Sequence, residues 1–333
     1  MCGIFGFSEL NDNTRQLIPV LALKMVERGR DSWGCTNGLE LYKTTGNIVN
    51  TFNKVFEKWE DSQEGVIFHT RGASAGSAIT AENAHPHRFA TTVENNDEYM
   101  IVKFITGIHN GYISNHTELK KKYTDRSWFD VDTKHVFKHI ADGLDTKEIR
   151  GVGVLAWYET LIKTNKADNK MTVLSNDLKF VRFNSTNLYI VKLTTGEFVF
   201  ASTEDAVFTA CKLSGLQIEC FYPTKENIVY SIGLDEDNIP AFLELGKMEF
   251  SAREVYNYEN FTKGGYQSGS VGNAATYIAT NSYPNRSFLK VKDTIEKCPC
   301  CESKIDPEKE ALCITCFDMW INGKLCISKQ VFQ

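Results

Sequence analysis

Apolar positions along this chain recur with two periods. Ile4-Phe5-Gly6-Phe7 is a short apolar run that predicts a buried strand at the amino terminus. Residues 14–27 place Leu17, Leu21 and Met25 on one face with Ile18 beside them, which is helical spacing. Pro19 falls in the first turns of that helix, where it is tolerated. Residues 65–70 and 99–106 read as further buried strands, and Asp130-Val131-Asp132-Thr133 opens a second helical pattern with Val136, Phe137 and Ile140 inward. From Gly151 the texture turns to strands, at 153–159, 178–183, 188–193, 197–202 and near 227–232, with a short helix over 203–213. Strand-rich segments with few helices imply stacked sheets in an α+β fold. Beyond Leu234 the pattern weakens, and residues 262–287, rich in Gly, Ser, Asn and Thr, read as a linker.

Composition narrows the class. The chain has 333 residues, 42 % apolar and 24 % charged, which is ordinary for a globular protein with room for an enzyme. No run approaches the ~18 consecutive apolar residues of a membrane span, and no basic stretch precedes an apolar one at the amino terminus. The expectation is a cytoplasmic protein without a membrane partner. A formal charge of -5 gives no electrostatic reason to expect binding along a nucleic-acid backbone.

Candidate chemistry begins at Met1-Cys2-Gly3. Aminopeptidases remove Met1 readily when the next side chain is small, so the mature chain is expected to begin at Cys2. One residue then holds a thiol and an α-amine whose reference pKa, about 8, suits it to take the thiol proton near neutral pH. Arg28-Gly29-Arg30-Asp31-Ser32-Trp33-Gly34 is a charged turn in which Arg28 and Asp31 could brace a site. His69-Thr70-Arg71 ends a buried strand before Gly72-Ala73-Ser74-Ala75-Gly76. That pattern suits a carboxylate fork with a ligand close to backbone, or simply a surface arginine on a turn. Asn83-Ala84-His85-Pro86-His87 carries two histidines on a Pro-fixed turn without a third metal ligand nearby, so a structural hydrogen-bonding role is expected for them. His109-Asn110-Gly111 is either a tight turn after a strand or an oxyanion hole built from the Asn110 amide and the Gly111 N–H. Asp132 reads as a helix N-cap or as a carboxylate for a substrate ammonium.

Cys298-Pro299-Cys300-Cys301 and, after a gap of eleven residues, Cys313-Ile314-Thr315-Cys316 form two knuckles with the spacing of one tetrahedral site. The expectation is a structural zinc held by Cys298, Cys301, Cys313 and Cys316, with free thiols as the alternative. Eight basic and seven acidic residues over 286–333 do not mark a DNA-binding finger.

Taken in order, Met1-Cys2-Gly3-Ile4-Phe5-Gly6, the Arg28 to Gly34 turn, His69-Thr70-Arg71, Glu82-Asn83-Ala84-His85-Pro86-His87, His109-Asn110-Gly111-Tyr112-Ile113-Ser114-Asn115-His116 and Asp132-Thr133 resemble the class II glutamine amidotransferases. These are N-terminal-nucleophile hydrolases, and the glutaminase half of glucosamine-6-phosphate synthase is the most similar branch. The resemblance covers roughly the first two-thirds of the chain and implies a four-layer αββα sandwich. It implies Cys2 as nucleophile with its own amine as base, Asn110 and Gly111 as oxyanion hole, and Arg71 and Asp132 as clamps for the two charged ends of glutamine. Ser74 takes the place of a carboxylate-binding threonine, and Arg28, His69 and His85 support the site. Glutamine hydrolysis itself calls for no cofactor.

Two departures stand out. Gly72 occupies the place where the family often has a gating tryptophan, and no sugar-isomerase or phosphoribosyltransferase segment follows. Ser231-Ile232-Gly233-Leu234-Asp235-Glu236 lacks the second glycine and final serine of a pyrophosphate loop. The expected organisation is a glutamine amidotransferase type 2 domain over 1–235, an irregular linker or extension over 236–287, and a Cys-rich zinc-ribbon-like module over 288–333. The acceptor of ammonia is expected on a partner enzyme. The alternatives are an amidase acting on another γ-glutamyl amide, and a non-catalytic zinc-tailed scaffold.

Overall fold

The computed structural model describes residues 2–52, 64–73, 79–123, 131–184, 187–234 and 240–252. The chain divides into two compact units, Met1–Arg253 and Glu254–Gln333, and the described residues all lie in the first. The four cysteines of the expected zinc site, the 288–333 module and Ser74 lie outside the described residues.

β1 (Gly3–Phe7) is buried along its whole length, as its apolar run requires. Where one helix over 14–27 was expected, the chain forms two: α1 (Asp12–Arg15) and α2 (Ile18–Val26). The first is set by a capping box in which Asn11 Oδ1 accepts from Thr14 N at 3.1 Å and Thr14 Oγ1 accepts from Asn11 N at 2.9 Å. Pro19 has no N–H to donate to the preceding turn, so it fits only at the start of a helix, and α2 restarts just before it. The chain continues through β2 (Ser32–Thr36), β3 (Leu41–Thr45), β4 (Val66–Arg71), β5 (His87–Asn95) and β6 (Tyr99–Ile113). Then come α3 (His116–Lys120), α4 (Asp132–Ala141), β7 (Gly151–Asn165), β8 (Met171–Phe183), β9 (Tyr189–Leu193) and β10 (Phe198–Ala201). α5 (Glu204–Ser214), β11 (Ile218–Tyr222), β12 (Ile228–Leu234) and β13 (Pro240–Lys247) complete the unit.

Among the described residues the strands form two antiparallel sheets. One has the order β11-β9-β10-β1-β4-β2-β3 and the other β13-β12-β8-β7-β6-β5. Alternation along each strand sends every second side chain to one face. Ile4, Ile67, Phe198 and Phe200 of the first sheet therefore meet Ile108, Val154, Ala156 and Phe180 of the second in one core between them. Phe5, whose ring stacks on Phe68 at a centroid distance of 4.5 Å, points to the opposite face, where α2 and α5 pack. On the far face of the second sheet, Ile105, Leu155, Trp157 and Val181 form another core with Val136, Phe137 and Ala141 of α4. Burial of each such large apolar side chain contributes about 1.5–3 kcal/mol.

Two segments differ from the sequence reading. Residues 236–287, read as an irregular linker or extension, include β13, which pairs with β12 from Leu234↔Pro240 to Ile228↔Lys247. Phe250 then stacks on Phe183 at 4.1 Å, so the compact unit runs past residue 235. Asn110-Gly111 is not a tight turn. Both residues lie inside β6, held extended by pairing with Val154 and Gly153 of β7.

Candidate active site

Cys2 precedes β1 and is half-buried at the end of the first sheet. Its carbonyl accepts a hydrogen bond from Arg28 Nε at 2.9 Å. Burial pushes the thiol pKa up; the Gly72 backbone N–H, the positive amino terminus and the Arg71 guanidinium pull against that rise, while the Asp132 carboxylate adds to it. Arg28 is itself lowered by burial, and the Cys2 thiolate opposes that shift. The charged groups of Arg28, Arg71 and Asp132 thus all act on the one sulfur.

Arg71 ends β4 and is buried, paired in register with Ser32. The turn 28–34 holds the loop that follows it. Asp31 N donates to the Arg71 carbonyl at 3.0 Å, and Asp31 Oδ2 accepts from Ala73 N at 2.7 Å. Gly29 is glycine for a steric reason, since a Cβ there would come within 2.5 Å of the Arg71 carbonyl carbon.

Asn110 is buried and faces the first sheet. One hydrogen of its amide goes to Ser202 Oγ at 3.1 Å, and Ser202 Oγ also accepts from Ile4 N at 2.8 Å. The amide nitrogen has a second hydrogen to offer. Beyond Gly107, β5 no longer pairs with β6, so among the described residues 108–113 form an open edge. In an antiparallel ladder the N–H and C=O of one residue point to the same side and alternate along the strand. The His109 carbonyl accepts from His69 Nε2 at 3.0 Å, and Ile113 N donates to Asp132 Oδ2 at 2.9 Å, so odd positions here face the open side. Gly111 lies between them, and its N–H faces the same way.

Asp132 is the first residue of α4, one position inside the N-cap Val131 rather than the cap itself. Its Oδ1 accepts from Thr133 N at 3.0 Å while Oδ2 takes the Ile113 N–H. A carboxylate at a helix amino terminus, already holding two backbone donors, is fixed in place.

His69, His85 and His87 cluster at the same end. The rings of His69 and His85 lie 4.0 Å apart, and those of His85 and His87 4.7 Å apart. Instead of the expected hydrogen-bonding role, His85 packs ring against ring; among the described residues neither of its nitrogens has a hydrogen-bond partner. Burial lowers His69 to about 3 and holds His85 and His87 well below the ordinary histidine value. Neutral, closely packed imidazoles follow.

The fold therefore brings Cys2, Arg28, His69, Arg71, His85, Asn110, Gly111 and Asp132 to one end of the sandwich. Sequence reasoning did not single out Ser202, His109 or Thr133, which connect them. Ser202 follows a strand with no local motif around it, so only its contact across 92 positions reveals it. Among the described residues no group of three or more His, Cys, Asp or Glu could hold a metal ion. No helix among them is long and apolar enough to cross a membrane.

No protein-family model matches the chain. Curated proteins do. The chain is 27 % identical over 299 residues to a glutamine–fructose-6-phosphate aminotransferase (isomerizing) of Helicobacter pylori, covering 87 % of this chain and 43 % of that one. It is 29 % identical over 283 residues to the protein so named in Methanosarcina acetivorans, covering 78 % and 42 %. A Campylobacter jejuni protein of the same name is 30 % identical over 222 residues, covering 63 % and 34 %. The chain thus spans less than half the length of the curated relatives it matches. A solved structure of an allosteric regulatory enzyme of purine biosynthesis aligns with a TM-score of 0.45 at 16 % identity over 73 % of this chain and 49 % of that one, a likeness too slight to build on.

Proposed function

We propose that this chain, which is related to the class II glutamine amidotransferases, hydrolyses the side-chain amide of glutamine through the thiol of Cys2 and delivers ammonia to an acceptor enzyme on another chain. The observation that carries the reading is the convergence of Arg71 and Asp132, opposite in charge, on the Cys2 sulfur, with the Asn110 amide joined through Ser202 Oγ to the Ile4 N–H two residues further along the chain.

In this reading Met1 is removed and the freed α-amine takes the thiol proton. The thiolate attacks the amide carbon, and the carbonyl oxygen becomes an oxyanion held by Asn110 and Gly111. Protonated by the ammonium, the amide nitrogen leaves as ammonia. Water, deprotonated by the amine, then cleaves the glutamyl thioester and restores the thiol, releasing glutamate. Arg71 and Ser74 bind the α-carboxylate and Asp132 the α-ammonium, which restricts the substrate to a free amino acid. Arg28 fixes the Cys2 carbonyl, and His69 and His85 stiffen the wall behind Arg71. The unit is read as an N-terminal-nucleophile hydrolase sandwich of four layers, in a cytoplasmic protein.

The names of the relatives, glutamine–fructose-6-phosphate aminotransferase, support an acceptor for the ammonia. The carboxy-terminal cysteines Cys298, Cys301, Cys313 and Cys316 are read as a structural zinc site. Elemental analysis of purified protein is expected to give one zinc per chain; none would overturn that reading.

The function is tested by the amino-terminal mass together with glutamate release from glutamine. The expected result is a chain lacking Met1 that forms glutamate, loses this with Cys2→Ala, and is labelled at Cys2 by a diazoketone analogue of glutamine. Met-free protein that neither forms glutamate nor takes the label would overturn it.

A further inference from the structure

The residue before Asn110 is tied into the site at both of its polar ends. The His109 carbonyl accepts from His69 Nε2 at 3.0 Å, across the gap between the sheets, and His69 stands two residues before Arg71 on β4. The His109 ring points the other way, toward α4, where Nδ1 lies 3.0 Å from Thr133 Oγ1 in a hydrogen bond whose direction follows the imidazole tautomer. Both side chains are buried, 2 % exposed each. Thr133 N in turn donates to Asp132 Oδ1, and Asp132 Oδ2 accepts from Ile113 N, which returns the path to the strand that holds His109.

The backbone is built to admit this ring. Gly111 and Gly153 are register partners, and a Cβ on either would come within 2.5 Å or 2.4 Å of His109 Nε2. The ring of Phe183 lies parallel to the imidazole at 6.2 Å on the same face of the sheet. An apolar side chain would fill this space without needing a buried partner. The imidazole instead bonds the residue beside Asp132.

We infer that His109 is a positioning residue: its carbonyl and its ring together fix Asn110 and Gly111 relative to Asp132, and so fix the oxyanion donors relative to the ammonium of a bound amino acid. This rests on the glutaminase reading above. Burial lowers the His109 pKa, although the Asp132 carboxylate acts to raise it, which fits a group that orients its neighbours and transfers no proton.

The test uses the full chain and four variants: His109→Phe, which fills the space without a polar atom; His109→Asn, which restores a polar atom near Nδ1; Thr133→Val, which removes the hydroxyl at nearly constant shape; and the Phe and Val changes combined. Glutamate release gives kcat and KM for glutamine, the diazoketone analogue gives the rate of Cys2 labelling, and thermal unfolding gives stability. His109→Phe and Thr133→Val are each expected to lower kcat/KM about tenfold to hundredfold, with kcat falling and KM rising together, because small misplacement is felt by both clamps and donors. His109→Asn is expected to recover most of that loss, and the double variant to be no worse than the worse single one. Should His109→Phe fail to fold, Thr133→Val carries the test. Folded variants with unchanged kcat and KM, or losses that multiply in the double variant, would overturn the inference alone. A wild-type protein that neither hydrolyses glutamine nor takes the label would overturn the glutaminase reading and this inference with it.

Discussion

Arg28 Nε donates to the carbonyl oxygen of Cys2 at 2.9 Å, joining the turn after α2 to the residue that bears the thiol. A planar guanidinium can make this bond while its remaining donors serve other acceptors, which an ammonium on a flexible stem does less well. Arg28→Lys is therefore expected to lower kcat about tenfold while leaving the fold intact, by loosening the backbone at Cys2. Initial rates and circular dichroism on the same preparation check this; full activity would show that the bond does not hold the nucleophile.

Ser202 Oγ accepts from both Ile4 N and Asn110 Nδ2, so Ser202→Ala strands two buried donors. The loss of such partners costs about 1–3 kcal/mol each. A drop in the urea midpoint is expected, together with a fall in kcat larger than any change in KM, because Asn110 is read as acting on the oxyanion and not on the bound amino acid. Equal effects on kcat and KM would place Ser202 elsewhere in the scheme.

Gly111 and Gly153 leave no room for side chains. Gly111→Ala would set a Cβ 2.0 Å from the Val152 carbonyl oxygen and 2.5 Å from His109 Nε2. Overpacking of this kind costs about 1–3 kcal/mol, and here it also tilts the open-edge N–H. Thermal unfolding and glutamate release are expected to fall together. Retention of both would mean that β6 shifts at little cost.

The buried histidines predict how stability changes with pH. His69 is lowered from 6.5 to about 3 by burial, so in acid the unfolded chain binds a proton that the folded chain refuses. Its contribution is complete above about pH 6.5 and is lost as pH falls from there toward 3. The slope is about 1.4 kcal/mol per pH unit for one such group. His85, His87 and His135 shift in the same direction through burial and add to it. Chemical denaturation at a series of pH values is expected to show stability level above about pH 7 and falling below it, more gently in His69→Gln. An unchanged slope in that variant would mean that His69 takes up its proton in the folded state.

The chemistry proposed for the site was suggested by the sequence because it is carried by residue types at ordered positions. Cys2 at the amino terminus, Arg71 at the end of an apolar run, Asn110-Gly111 after another and Asp132 at the head of a helical pattern needed no tertiary contact to be noticed. Apolar runs likewise marked β1, β4 and β6, and the period of 3.6 marked α4, which buries one face against a core. Sequence left open whether Asn110-Gly111 turns or runs straight. That was decided by the ladder with β7, where Gly111 faces Gly153 and the strand continues to Ile113.

The connections between the functional residues were decided by the tertiary structure alone. Ser202 reaches Asn110 and His69 reaches His109 because two sheets stack and their ends coincide, and Phe250 reaches Phe183 on the far face of the second sheet because β13 and β8 flank β12. Such contacts join positions tens of residues apart, and nothing in the local alternation of apolar and polar residues records which strand will lie opposite which. The residues proposed for the chemistry were thus set by the sequence, and the distances between them and the strand edge they share were set by how the sheets pack.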